Sequence, residues 1–317
     1  MKYLLSTVAL LFFIPGFAKK KDIGEDRILF AQATALQQLI QEDLNLDHAI
    51  DSKDTTVHDS KIKAEYAAQI KETILDKALE YYNLLVDSFP GSPLLYMTLN
   101  NKGVIEYELE DYKEAKTTFL KQIEGKADDK ESRYDGGIMG EPYANYRNRA
   151  CKYLARIYIH DSDYPNAIKY LDLTKKYPYR HFCGNEYAAE ANAKTVLYAK
   201  CYLAQKDYTN AYNVLLPNII SNGLANNREI VELAYKSLLE KYTKQELKNM
   251  FEESVRLHKF EKNEDGKSKD YYITFLNVKI YFYFGFQEID TMQEAKIDTL
   301  IWDQLTNTDF YKLISKQ

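Results

Sequence analysis

Along much of the chain, apolar residues recur three and four positions apart with charged residues between them, the spacing of an α-helix with one buried face. One pattern interrupts that spacing three times. Asp-Tyr-x-x-Ala occurs at Asp111-Tyr112 with Ala115, at Asp163-Tyr164 with Ala167, and at Asp207-Tyr208 with Ala211. Eight positions before each Asp stands a small residue (Gly103, Ala155, Ala199), and four after each Ala a large apolar one (Phe119, Leu171, Leu215). The pattern predicts three helical hairpins. The small residue lets two helices approach closely, the Asp caps the second helix, and the Ala with its partner one turn later packs on the first.

Further helices are predicted on either side. Residues 25–47 read as an amphipathic helix through Ile28, Leu29, Ala31, Leu36, Leu39 and Ile40, and residues 48–60 as a polar linker. Beyond Asn222-Gly223, Thr243-x-x-Glu246 is a capping box opening a helix that reaches about Glu261. A turn at 263–266, a helix over 268–286 and a second capped helix from Thr291-x-x-Glu294 follow. The run Tyr281 to Phe286 is apolar on every side, which points to a buried helix end rather than a strand or a membrane contact. Residues 223–317 are therefore expected to form a helical cap over the apolar face of the last hairpin.

Composition agrees with long helices and few breaks. Twelve glycines and 7 prolines in 317 residues are about half the ordinary share, which disfavours sandwiches and barrels of many short strands. Tyrosine, with 28 residues against 14 Phe and one Trp, supplies most of the aromatic volume. A formal charge of -5 provides no basic field for nonspecific nucleic-acid binding. Lys2, the apolar run Tyr3 to Ile14 and the small residues Gly16 and Ala18 have the form of a secretory signal peptide cleaved after Ala18. The run is broken by Pro15 and is shorter than the roughly 20 residues a membrane span needs. The mature chain is thus expected in the periplasm or the medium, with no transmembrane segment. Cys151, Cys183 and Cys201 leave a disulfide open, with three pairings; the apolar helical surroundings of Cys151 and Cys201 favour unpaired thiols.

The hairpin pattern resembles the tetratricopeptide repeat (TPR). Leu154-Ala155 with Tyr158, Ala167 and Leu171 matches the family's Leu-Gly-x-x-Tyr…Ala-x-x-x-Phe pattern best, and Tyr198-Ala199 with Tyr202, Ala211 and Leu215 comes close. Gly103 with Ala115 and Phe119 has Glu106 where the family has Tyr, and Ala78, Tyr82 and Pro90 match only a second helix and its terminating proline. The family's Trp is absent from every unit. The resemblance implies an all-α fold, a right-handed superhelical solenoid of helix-turn-helix units over 61–222, preceded by an N-terminal helix and linker at 19–60 and followed by the cap at 223–317. The repeated Asp residues are 52 and 44 apart, against 34 in the standard repeat. The surplus falls in two loops, 125–142 and 178–187, expected on one edge of the superhelix.

In TPR proteins the first helices of successive units line a concave groove. Laid on this sequence, the groove positions are Asn100, Val104 and Tyr107, then Arg149, Lys152, Arg156 and His160, then Val196, Lys200 and Leu203. The middle set is a basic stripe, suited to an acidic segment or a chain-terminal carboxylate. It resembles loosely the carboxylate clamp of some family members, with only Lys152 on a clamp position. His-Glu-x-x-His, Gly-x-Ser-x-Gly and phosphate-loop motifs are absent, so neither catalysis nor a cofactor is expected. Asp128, Asp129 and Asp135 lack the spacing of a Ca²⁺ loop, and His181-x-Cys183 beside Arg180 lacks the further ligands of a metal site, so a structured loop is the reading there. The function this implies is an exported, non-catalytic scaffold that binds a protein or peptide. A binder of glycans or small ligands, similar to the TPR-derived SusD-like proteins, is the alternative.

Overall fold

The computed structural model describes residues 24–40, 44, 46, 58–127, 143–220, 223–262, 268–284 and 292–316. The expected signal peptide, Asp128, Asp129 and Asp135 with most of the 125–142 loop, the 263–266 turn and Thr291 lie outside them. The chain is mainly helical, in two compact units, Met1–Thr98 and Leu99–Gln317.

In the first unit, helix α1 (Glu25–Gln38) packs on α2 (His58–Ser88). Leu29 and Ala33 on α1, and Leu75, Ala78, Tyr82 and Leu85 on α2, are buried. The Phe30 and Tyr82 rings meet at 5.9 Å, and the Tyr82 hydroxyl donates to Gln37 Oε1 at 2.5 Å. The α2 helix begins inside the segment expected to be linker and runs unbroken for 31 residues. Two boundaries thus differ from the expectation: α1 ends at Gln38 rather than 47, and α2 begins at His58 rather than after residue 60.

Helix α3 (Leu95–Glu108) leads into the second unit, followed by α4 (Tyr112–Glu124), α5 (Tyr146–His160), α6 (Tyr164–Leu173), α7 (Gly184–Ala204) and α8 (Tyr208–Leu215). The turns α3–α4, α5–α6 and α7–α8 share one geometry. Glu110, Ser162 and Lys206 adopt left-handed backbone at φ 60°, 59° and 57°. The next residue, Asp111, Asp163 or Asp207, donates its N–H five residues back, to Glu106, Tyr158 or Tyr202 O at 2.9, 2.8 and 2.9 Å. This satisfies a carbonyl that the helix end would otherwise leave unpaired. Each Asp side chain then accepts from the backbone N–H three residues on, at Glu114, Asn166 and Asn210. One residue pair therefore closes one helix and opens the next.

The small residues act as expected. A Cβ on Gly103 would stand 2.7 Å from Phe119 Cε1, and Ala155 and Ala199 are fully buried. Ala115, Phe119, Leu154, Ile157, Ala167, Leu171 and Leu197 form one core around these helices. None of Cys151, Cys183 and Cys201 is in a disulfide, and the first and last are buried.

After a short 3-10 turn (Leu216–Asn218), α9 (Arg228–Leu239) and α10 (Lys244–Arg256) form a further hairpin, and both halves of the Thr243/Glu246 capping box are made. The next expectation fails. The α10 helix stops at Arg256, and the region expected to be helical over 268–286 is an antiparallel sheet in the order β1 (Lys259–Lys262), β2 (Lys269–Phe275), β3 (Val278–Tyr281). Burial alternates: Tyr271, Ile273, Phe275, Val278, Ile280 and Phe282 face inward, whereas Thr274, Lys279 and Tyr281 are exposed. Period-two burial cannot be satisfied on a helix, whose same-face positions repeat every three to four residues. Leu276 and Asn277, at φ 50° and 66°, make a two-residue turn of the handedness that matches strand twist. The inner face meets Phe251 of α10 and Phe310: Phe251 lies 5.0 Å from Phe275 and 5.2 Å from Phe310, ring to ring. Helix α11 (Glu294–Thr306) is preceded by Gln293 at its cap position, without a side-chain bond, and α12 (Asp309–Ser315) is capped by Thr308.

Four phenols tie distant segments to carboxylates. Tyr198 donates to Asp172 at 2.9 Å and Tyr311 to Glu252 at 2.8 Å, with Tyr208 bonded to Glu240 and Tyr281 to Glu261. Among the described residues no helix is long and apolar enough to cross a membrane.

Candidate functional site

The basic positions anticipated on α5 do form a stripe, because Arg149, Lys152 and Arg156 recur at helical spacing. Their partners change its character. Arg149 Nη1 donates to Asn100 Oδ1 on α3 at 3.2 Å, and Asn100 is buried. Lys152 is ion-paired with Glu190 on α7, both largely buried, and its ammonium lies 5.5 Å from the Tyr179 ring centroid. Lys200 reaches Glu229 on α9 at 2.8 Å. The side chains of α3, α5, α7 and α9 are therefore linked in succession. Two of the expected cations, Lys152 and Lys200, are balanced by carboxylates that the sequence pattern did not place there.

The rest of the stripe is aromatic. The Arg156 guanidinium lies 5.2 Å from the Tyr153 ring centroid; that ring stacks on Phe119 at 4.9 Å and meets Tyr107 edge-on at 5.0 Å. Tyr107 also meets Tyr112, which lies 4.3 Å from the His160 ring. His160 is exposed, with Nδ1 3.2 Å from Asp161. Thus Asn100 joins Arg149, and Tyr107 joins Arg156 through Tyr153. Lys200 makes its contact on another helix pair.

Burial pushes the Lys152 ammonium below the ordinary lysine range; Glu190 opposes this, and Arg156 and Arg149 reinforce it. Burial likewise raises the Tyr153 phenol, which Arg156 and Arg149 pull back. Glu190 Oε1 is buried without a hydrogen-bond partner, so the pair is only half satisfied. Removing one member of such a pair costs about 3–5 kcal/mol, because the other charge stays buried. Lys152 is accordingly a structural charge as much as a ligand group.

The segment after α6 spans 174–183 rather than the 178–187 expected, since α6 ends at Leu173 and α7 already begins at Gly184. It is held by side chains at the start of α5. Asn145, at φ 52°, accepts from Arg180 N at 2.9 Å and donates to Arg180 O at 2.8 Å, and Asn148 donates to Tyr177 O at 2.8 Å. His181 Nδ1 accepts the Cys183 N–H at 2.9 Å, so these two residues lock a turn. Pattern reasoning missed Asn145, Tyr179 and Glu190, since each acts through a contact some 27 to 38 residues away in sequence.

Two open clefts of about 540 and 530 Å³ lie elsewhere in this unit, both lined by Arg256 and His258, the larger also by Asp298 and Trp302. His258 Nε2 is 3.3 Å from Asp298 Oδ1, a contact that joins α10's end to α11. Among the described residues no group of three or more His, Cys, Asp or Glu side chains is arranged to hold a metal. In comparison with known proteins, the chain matches no protein-family model and no curated protein.

Proposed function

We propose that this is an exported, non-catalytic scaffold of the TPR-like class, a right-handed solenoid that binds a protein or peptide partner on the face shared by α3, α5 and α7. The observation that carries the reading is the turn repeated at Glu110-Asp111, Ser162-Asp163 and Lys206-Asp207, which gives three hairpins one local geometry. Successive stacking of such units is what generates a long, continuous binding face. Along that face the links Asn100–Arg149, Lys152–Glu190 and Lys200–Glu229 join each first helix to the next.

With Lys152 and Lys200 already balanced, the cations left to recognise an acidic segment or a terminal carboxylate are Arg149 and Arg156. The Arg149→Glu/Arg156→Glu double variant tests this with both members of the buried Lys152–Glu190 pair still present. Quantitative crosslinking capture from the native envelope or culture fluid is expected to lose its partner at least tenfold, and to weaken with salt in the unaltered protein. Capture that is indifferent to both changes, in a variant whose circular dichroism is unaltered, overturns the reading.

A further inference from the structure

Between α6 and α7 the chain presents four aromatic rings at the surface on a backbone that is fixed before any partner arrives. Tyr179, His181 and Phe182 stack in sequence, with centroids 6.1 and 4.7 Å apart, and Tyr187 meets Tyr179 edge-on at 5.9 Å. Phe182 is 53% exposed and Tyr187 44%. A phenylalanine left this open in water forgoes about 2 kcal/mol of burial. Its backbone neighbours are nonetheless held by Asn145, Asn148 and the bond from His181 N to the Tyr187 hydroxyl at 3.0 Å. A binding loop ordered in advance loses little entropy on association, and aromatic residues with arginine dominate the energetics of protein interfaces.

Charge indicates what the loop meets. From Tyr143 to Cys183 the chain carries eight Lys and Arg against three Asp and no Glu, within a protein of net charge -5. Arg180 is exposed on the loop, and Asn145 and Lys152, which flank Arg149 on the same helical stripe, lie against Arg180 and Tyr179. Among the described residues neither guanidinium is paired with a carboxylate. Planar guanidinium groups favour carboxylates, and the exposed Phe182 favours an apolar side chain.

We infer that the Arg180-His181-Phe182 loop is a preformed docking site for an acidic protein segment bearing a large apolar side chain. The inference takes its class of partner from the scaffold reading above and assigns a second contact surface, at the edge of the stripe.

Fluorescence anisotropy with the full chain tests it, using three labelled probes: a 12-residue Glu/Phe peptide, the same peptide with Ser for Phe, and a 12-nucleotide oligothymidine. The Glu/Phe peptide is expected to bind at least tenfold more tightly than either of the others. Phe182→Ala and Arg180→Glu should each weaken it tenfold or more. Asn145→Asp, which tolerates the left-handed backbone but removes the donor to Arg180 O, should weaken it comparably with both contact residues still present. Lys259→Glu, which alters an exposed cation on β1 outside both surfaces, should leave binding within twofold. Equal binding of the oligonucleotide, absence of peptide binding, or indifference to Phe182→Ala and Arg180→Glu overturns the inference. Loss only on Arg149→Glu and Arg156→Glu overturns the loop site while leaving the α3–α5–α7 face standing.

Discussion

The hairpins from α3 to α8 and the sheet formed by β1–β3 both bury aromatic rings, but they specify their folds at different ranges. In the hairpins each decision is local: a left-handed residue, an Asp and a small residue fix the turn and the approach of two helices within about a dozen positions. In the sheet the decisive contacts join Phe275 to Phe251 and Phe310, which lie far apart in sequence. A local rule can be repeated and read; a long-range contact is fixed only when its partner has folded.

The largest effect expected concerns the long-range side. Phe251→Ala removes a fully buried ring that touches Phe275 and Phe310, and should cost about 3–5 kcal/mol. Because one core runs from Ala199 on α7 to Phe310 on α12, the loss should appear in a single denaturation transition followed by circular dichroism. Two separated transitions would instead make the sheet an independent unit and break the comparison.

Gly103→Ala probes the local side. The new Cβ would stand 2.7 Å from Phe119 Cε1, and Phe119 is stacked on Tyr153, which limits its retreat. A cost of about 1–3 kcal/mol in urea unfolding is expected; a neutral result would show that the α3–α4 approach is adaptable.

The smallest effect separates two kinds of left-handed residue. Ser162→Gly relieves backbone strain at φ 59° on an exposed turn and should stabilise by about 0.5–1 kcal/mol. Leu276→Gly, at φ 50°, also removes a side chain packed on the C-terminal core, and should gain less or lose. Melting temperatures that rise equally would erase the distinction.

These contrasts explain what was legible in the sequence. Asp111, Asp163 and Asp207 announced the hairpins because the residue type, its spacing and its capping role all sit in one short window. The sheet carried a signal too, in the alternation from Tyr271 to Phe282. It was obscured because Leu276-Asn277 lacks the usual glycine of a hairpin turn and because Tyr281 to Phe286 reads as uniformly apolar when every tyrosine is counted as buried. At the candidate site, helical spacing placed Arg149, Lys152 and Arg156 on one stripe. It carried no information about Glu190 or Glu229, which approach from other helices and cancel part of the charge.

The four phenol–carboxylate ties bear on the solution conditions the protein withstands. A neutral phenol bonded to a carboxylate is not an ion pair, so dissolved salt screens little of its attraction, whereas Lys–Glu contacts on the surface fade as ionic strength rises. Alkali is the converse. The Tyr208 and Tyr281 phenols are raised chiefly by their bonded carboxylates and Tyr198 and Tyr311 chiefly by burial, while burial also takes Tyr212 up to about 12 and the Cys201 thiol up to about 11. The folded chain thus keeps protons that the unfolded chain would release. This stabilisation is complete below the ordinary range of these groups and is lost as pH climbs through their folded values. An abundance of tyrosine gives a fold tolerant of brine and intolerant of base.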